Sequence, residues 1–250
     1  MISRIFGVAL GAGCAAGLAL AVLQAIFTTP IILQAEAYET VSIGMPMIDH
    51  AVATAQDARI WLAHGPAEHG AGGGSLFGLL PGGWAPEDGF ERTAYTTVTS
   101  LLIGFGFALM LLSAMLATGV TVDARSGLMW GLGGFAAVAL APALGLPPEL
   151  PGSAAADLVD RQVWWIGTAL ATGLGLWLIA SRPQALLKAA GVVLLLAPHV
   201  IGAPHPHAYA SQAPAELAGH FAATSLVCAA VFWALLGLGL GLFWQRSTAT

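Results

Sequence analysis

The residues best suited to chemistry are four histidines and a glutamate near the C-terminal end: His199, His205, His207, Glu216 and His220. Neutral imidazole nitrogen together with carboxylate oxygen suits borderline divalent metals such as cobalt, nickel and zinc. Glu216 and His220 are four residues apart, so they share one face of a helix. The cluster contains no thiolate, which excludes a structural zinc site of the cysteine type. It predicts a metal site; solvated or helix-capping histidines are the alternative.

Two further carboxylates extend this set. Glu36 and Glu39 are three residues apart just after the first apolar stretch, and they could supply oxygen ligands. His50, His64 and His69 lie in a long polar stretch of the chain. For these three histidines we expect a solvated role, with transient capture of metal as the alternative.

The motifs of common enzymes are missing from the sequence. It contains no G-x-S-x-G, no H-E-x-x-H, no phosphate-binding P-loop and no dinucleotide-binding glycine fingerprint. We therefore expect that the protein is not an enzyme. No acidic residue falls in the middle of an apolar stretch, which argues against a proton-driven pump formed by this chain alone.

The elements that must position these residues are membrane helices. The chain is 57% hydrophobic and 8% charged, with a mean hydropathy of +0.80, whereas a soluble domain carries about 25% charged residues. A bilayer needs about 20 apolar residues per helix. The sequence predicts an all-α polytopic membrane helix bundle that forms one domain over 1–250. Six apolar spans are predicted, at 5–33, 94–119, 127–146, 163–180, 185–201 and 217–244, with one extracytoplasmic insertion at 34–93.

The distribution of charge predicts the orientation, because short cytoplasmic loops are enriched in Lys and Arg. With the N-terminus inside, the inner side holds Arg4, Arg125, Arg182, Lys188 and Arg246, and the outer side holds Arg59, Arg92 and Arg161. Every histidine, and every carboxylate except Asp123, then falls outside. We expect a bacterial inner-membrane protein with both termini in the cytoplasm.

Small residues in the spans predict close helix packing. Gly7/Gly11, Gly13/Gly17, Gly127/Gly131 and Gly237/Gly241 are pairs four residues apart, which let helix backbones approach each other. The cysteines, Cys14 and Cys228, are expected to be small packing residues. The hydroxyl-rich start of the second span, 93–100, favours contacts between helices, with a polar lining for an ion path as the alternative.

The connection between the last two spans is predicted to assemble the metal site. Pro198, Pro204, Pro206 and Pro214 stiffen it, and Pro198 is predicted to end the fifth helix. His199 would then cap that helix and face Glu216 and His220 at the outer membrane boundary. Asp157, Asp160 and Arg161 predict an ion pair where the fourth span begins.

Four stretches resemble the CbtA family, proposed cobalt transporter subunits. They are Ile5-Phe6-Gly7 with Ala35-Glu36-x-Tyr38-Glu39, Trp84-x-Pro86-x-Asp88-Gly89-x-Glu91-Arg92-Thr93, Ala197-Pro198-His199-x-x-Gly202-Ala203-Pro204, and Pro214-Ala215-Glu216-Leu217-Ala218-x-His220-Phe221. The resemblance implies a multi-pass protein, usually with about five spans, and a small histidine-bearing membrane partner, CbtB. Many relatives carry a dense histidine run before the Trp-x-Pro motif, where this chain has only His64 and His69.

Two functions follow as hypotheses. The first is a membrane subunit of a divalent metal uptake system that captures cobalt, with nickel as an alternative, at the outer His/Glu cluster without binding it tightly. The second is a structural or accessory subunit of a larger membrane complex without transport activity. Expected partners are membrane lipid, the CbtB-type protein and further copies or subunits. The few basic residues argue against nucleic acid.

The predicted topology can be tested by labelling Ser75→Cys with a membrane-impermeant thiol reagent, in a background with Cys14 and Cys228 replaced by alanine. Because 34–93 is predicted to lie outside, the cysteine should react in intact cells. Reaction only after permeabilisation would reverse the orientation and place every histidine on the inner side.

Overall fold

The fold is a bundle of long helices. The computed structural model describes residues 2–44, 86, 89–206 and 211–247, and gives only the backbone for 39–44. Six helices run through the described residues. They are α1 (Ile2–Leu23, a π-helical turn Gln24–Thr28, then Thr29–Gly44), α2 (Phe90–Ala117), α3 (Ala124–Phe135, a π-helical turn Ala136–Leu140, then Ala141–Ala143), α4 (Leu158–Ser181), α5 (Ala185–Ile201) and α6 (Ala215–Arg246).

The helices have the length and composition of membrane spans. Among the described residues, five are long and apolar enough to cross a bilayer: Ile2–Tyr38, Phe90–Ala117, Ala124–Ala143, Leu158–Ser181 and Ala215–Arg246. The sixth, α5, has 17 residues and is therefore about 25 Å long. It packs along α4 from end to end, since Ile179 lies beside Gly191 and Trp164 lies beside His199. The predicted all-α membrane bundle is confirmed.

The first helix is longer than predicted. The expected span 5–33 is part of a continuous helix that extends to Gly44. The insertion is predicted to begin at position 34, but Gln34, Ala35, Glu36 and Ala37 have high helix propensity and the helix continues through them. The rest of the predicted insertion falls largely on 45–85, outside the described residues, so its extent stays a prediction.

The prediction that Pro198 ends the fifth helix is wrong. Pro198 lies inside α5, which continues to Ile201 and stops at Gly202, whose φ of 89° is left-handed. Proline removes one N–H donor and disfavours the helix before it, but it does not prevent the following residues from adopting helical angles. Glycine adopts a positive φ without steric cost, and it is the usual residue just past a helix end.

The helices associate in pairs with closely approaching backbones. α1 packs against α2 and α6, α3 packs against α6, and α4 packs against α5 and the π-helical turn of α3. A Cβ added at Gly13 would lie 2.6 Å from the Cα of Phe105, and one at Gly127 would overlap the carbonyl oxygen of Gly237. The glycine pairs therefore lie where backbones approach closely, as predicted, except that Gly7 has no atom within 4 Å of an added Cβ.

The hydroxyls at the start of α2 are used within the bundle. Thr97 donates to the carbonyl of Thr93 at 2.8 Å, one turn earlier in its own helix. Ser100 is buried and donates to the Gln24 side chain of α1 at 3.1 Å. These contacts favour helix packing over the polar lining that was the alternative interpretation.

Helix caps fix the end of the bundle that holds the N-terminus. Arg4 donates to the carbonyl of Trp244 at 2.9 Å and to Ser247 Oγ at 2.7 Å, so its positive charge lies at the C-terminal end of α6, where it is favoured. Asp123 caps α3 through the N–H of Ser126, a bond that lowers the pKa of the Asp123 carboxyl. A lowered pKa means that the contribution of this cap is lost as the pH falls through it.

The glycine contacts can be tested with two substitutions in one helix. In Gly131→Val the new Cβ would clash with the carbonyl of Trp233 on α6, whereas in Gly133→Val the new Cβ would meet no atom within 4 Å. We expect the first to destabilise the bundle by about 1–3 kcal/mol, as in other overpacked cores, measured as thermal unfolding in detergent. Equal unfolding temperatures for the two variants would show that the α3–α6 contact is not close.

Candidate metal-capture end of the bundle

One end of the bundle collects the predicted site residues, and we call it the acidic end. It is formed by the last turns of α1, α3 and α5, the first turns of α2, α4 and α6, and the connecting residues 144–157, 202–206 and 211–214. A small buried cluster of Ile31, Ala35, Leu150 and Ala213 joins α1 to both connections, and Ser153 pairs with Ser211 between them. Arg4 and Trp244 lie at the opposite end. The described histidines therefore lie at the acidic end, and Arg4 lies at the other end, as the distribution of charge predicted.

His199 lies in the last turn of α5 and is half-buried. Its ring meets that of Trp164 on α4 edge-on, with centroids 6.2 Å apart. Pro198 beside it is buried against the bundle. His199 is therefore held between two helices at the rim of the acidic end.

The other described histidines are more accessible. His205 is exposed in the non-helical connection, and Glu216 and His220 are both exposed in the first turns of α6. Glu216 lies in the first turn, where a negative charge is favoured by the helix dipole. His207 falls outside the described residues. The exposed groups are open to solvent and to a metal ion that arrives from it.

Glu36 already has a charged partner. Its carboxylate accepts two bonds from the Arg92 guanidinium, at 2.6 and 3.3 Å, which join α1 to α2. The pair is about one-third exposed, with side-chain accessibilities of 34% for Glu36 and 28% for Arg92. Glu39 lies where only the backbone is described. A metal ion would have to compete with Arg92 for Glu36.

A ready-made ligand set is not present in the described part of the chain. Within residues 2–38, 89–206 and 211–247, no three His, Cys, Asp or Glu side chains are grouped so that they could hold one metal ion. The convergence of His199, Glu216 and His220 stays a prediction. The described members share one end of the bundle, and a metal ion would have to draw their side chains together.

A second ion pair differs from the one predicted. Arg161 of α4 donates to Glu149 in the connection after α3 at 2.9 Å, and Asp157 instead caps α4 through the N–H of Val159. The sequence interpretation missed Glu149 because it lies twelve residues away across a proline-rich turn. The Glu149–Arg161 pair lines a cleft of about 760 Å³ between α3, α4 and α6.

A double-mutant cycle tests the α1–α2 ion pair. Glu36→Gln, Arg92→Gln and the double variant should give a coupling energy of about 0.2–1 kcal/mol, because the pair is partly exposed. The cycle isolates the pair from the other interactions of Arg92. The measurement is thermal unfolding at low and at high salt. Additive effects of the two single substitutions would show that the ion pair does not contribute to stability.

Comparisons with known proteins identify the family. A search of curated proteins and a search of solved structures each find no significant match. One family model, described as "Probable cobalt transporter subunit (CbtA)", matches residues 2–245. The match covers all six helices and nearly the whole chain. The chain belongs to the CbtA family of probable cobalt transporter subunits.

Proposed function

We propose that this protein is the membrane subunit of a divalent cobalt uptake system and that it takes up the ion at the acidic end. The family match over residues 2–245 carries the proposal. In this account the protein lies in a bacterial inner membrane with both termini in the cytoplasm, so that the acidic end faces outward. A direct enzymatic role is not part of it.

The chemistry of the acidic end supports capture of a borderline cation. His199, His205, Glu216 and His220 provide imidazole nitrogen and carboxylate oxygen, the donors that suit cobalt and nickel. His207 lies in the same connection of the sequence. Glu36 would add an oxygen ligand only after its ion pair with Arg92 opens, and Glu39 would add another.

The loose arrangement of these groups suits cargo better than a resident cofactor. A transport site must bind an ion strongly enough to take it up and weakly enough to release it. A site that forms only when exposed side chains close around the ion has this property, because ordering those side chains opposes binding. The same ligand set would accept nickel.

The membrane potential would favour movement of the ion inward. One elementary charge gains about 2.3 kcal/mol per 100 mV, so a divalent cation gains about 4.6 kcal/mol. The described spans contain no acidic residue in their middle, so this driving force needs no proton carrier in the chain. We further propose that the small histidine-bearing CbtB-type protein delivers the ion or completes the pathway, within a homo- or hetero-oligomer in the lipid.

The capture residues can be tested in cells. His199→Ala with His220→Ala should reduce cobalt accumulation at least tenfold at limiting cobalt, because both imidazole ligands are lost. His199→Ala also removes the ring contact with Trp164. The matched control is His64→Ala with His69→Ala, which removes two histidines of the polar insertion and should leave accumulation within about twofold. Uptake is measured by metal analysis of washed cells, with membrane insertion checked by immunoblot.

Unchanged cobalt uptake in the His199/His220 double variant would show that these histidines do not form the capture site. No dependence of cobalt uptake on the whole chain, with the partner co-expressed, would instead favour the accessory-subunit hypothesis. The two results are distinguishable because the second compares cells with and without the protein.

A further inference from the structure

Two buried threonines lie in the middle of α4 without hydrogen-bond partners. Thr168 is 1% exposed and Thr172 is 3% exposed, and both lie near the centre of a helix of 24 residues. In the described part of the chain neither hydroxyl has a partner, and neither does the buried Nε1 of Trp164. The three residues are spaced by four, so their polar groups follow one face of α4.

These hydroxyls differ from others in the bundle. Hydroxyl side chains in helices commonly donate to the carbonyl four residues earlier. Five others in or beside the long helices do so, namely Thr28 to Gln24, Thr93 to Gly89, Thr97 to Thr93, Thr118 to Ala114 and Ser181 to Trp177. Thr168 and Thr172 are more buried than these and yet do not make that bond. Buried polar groups nearly always have a hydrogen-bond partner in protein or water. We therefore expect a partner for the hydroxyls of Thr168 and Thr172.

The face of α4 that carries the threonines packs against α5. A Cβ added at Gly175 would lie 2.7 Å from the carbonyl oxygen of Gly191, and Trp164 contacts His199. These two contacts lie on either side of Thr168 and Thr172 along α4. Gly175 also lies against Leu194 and Leu195, so the antiparallel packing places Thr168 and Thr172 between these leucines and His199 along α5. We call the space between these residues the α4–α5 seam.

The α5 side of the seam lacks one backbone N–H donor. Pro198 is buried inside α5, and proline has no N–H to donate. The carbonyl of Leu194, four residues earlier, therefore lacks its ordinary helical partner. The seam thus combines an indole N–H, two hydroxyls and a backbone carbonyl, beginning next to His199 at the acidic end.

We propose that the α4–α5 seam binds a file of water molecules that reaches from His199 to the middle of the bundle, and that the transported cation enters along it with part of its hydration shell. The groups are neutral oxygen and N–H groups, which hydrogen-bond water well and occupy the positions where buried water is found. The seam contains no carboxylate that would trap a divalent cation. At Gly175 and Gly191 the backbones touch, so the file stops there until the helices separate.

The identity of the cation rests on the proposed function, but the presence of water in the seam can be tested without cobalt. In a background with Cys14→Ala and Cys228→Ala, Thr172→Cys in the reconstituted full chain should react with a small positively charged methanethiosulfonate reagent. The control is Leu170→Cys on the same helix, a position that is 70% exposed on the outside of the bundle. We expect modification of Thr172→Cys at least tenfold faster than of Leu170→Cys, and slowed by added cobalt.

A second measurement needs no substitution in the seam. Radiolytic hydroxyl-radical labelling of the native protein should oxidise peptides at Thr172 or Leu194 if bound water lies beside them. Absence of both cysteine modification and radiolytic labelling would overturn the proposal, and would mean that the threonines bond the Leu194 carbonyl directly in a dry contact. If the seam reacts but the cells take up no cobalt, the water file is supported and the proposed function is wrong. If the cells take up cobalt but the seam is dry, the proposed function is supported and the water file is wrong.

Discussion

Direct contact between helix backbones at glycine is the interaction on which the bundle depends. In a membrane, apolar side chains gain little from leaving lipid for protein, so helices associate through close packing and hydrogen bonds. Gly13 and Gly17 bring α1 against α2, Gly127 and Gly131 bring α3 against α6, and Gly175 and Gly191 bring α4 against α5. Each contact is close enough that an added Cβ would displace the neighbouring backbone. The helix ends, and the side chains on them, are placed by these three contacts.

The third contact has a consequence that the other two lack. Around the first two contacts the buried polar side chain Ser100 has a partner in Gln24, and Leu112, Leu236 and Leu240 are fully buried in the core. In the α4–α5 pair the buried residues besides the glycines are Thr168, Thr172 and Pro198. A helix interface that places unpaired hydroxyls opposite a missing backbone donor is unfavourable in lipid unless something occupies it. The polar α4–α5 seam begins beside His199. The packing of these two helices is therefore linked to the proposed entry of the ion.

Much of this architecture could be predicted from the sequence, because hydropathy, charge and glycine spacing act locally. The six spans, the two ends and the presence of close-packing glycines at Gly127/Gly131 and Gly237/Gly241 follow from patterns within single helices. The contact of Gly175 with Gly191 was not predicted, because neither glycine belongs to a pair of glycines four residues apart. The position of Pro198 was misjudged because a proline is tolerated where neighbouring helices and side chains compensate for the lost bond. The ligand arrangement around His199, Glu216 and His220 depends on rotamers and on the ion itself, which spacing does not determine.

The central claim is that cobalt is bound by histidine at the acidic end. X-ray absorption at the cobalt edge, on the purified full chain with one equivalent of Co²⁺, tests it most directly. The account predicts imidazole scattering from at least two histidines together with oxygen ligands at about 2.0–2.2 Å, by analogy with zinc. A spectrum with water oxygen alone, the same as that of the free aqueous ion, would contradict it.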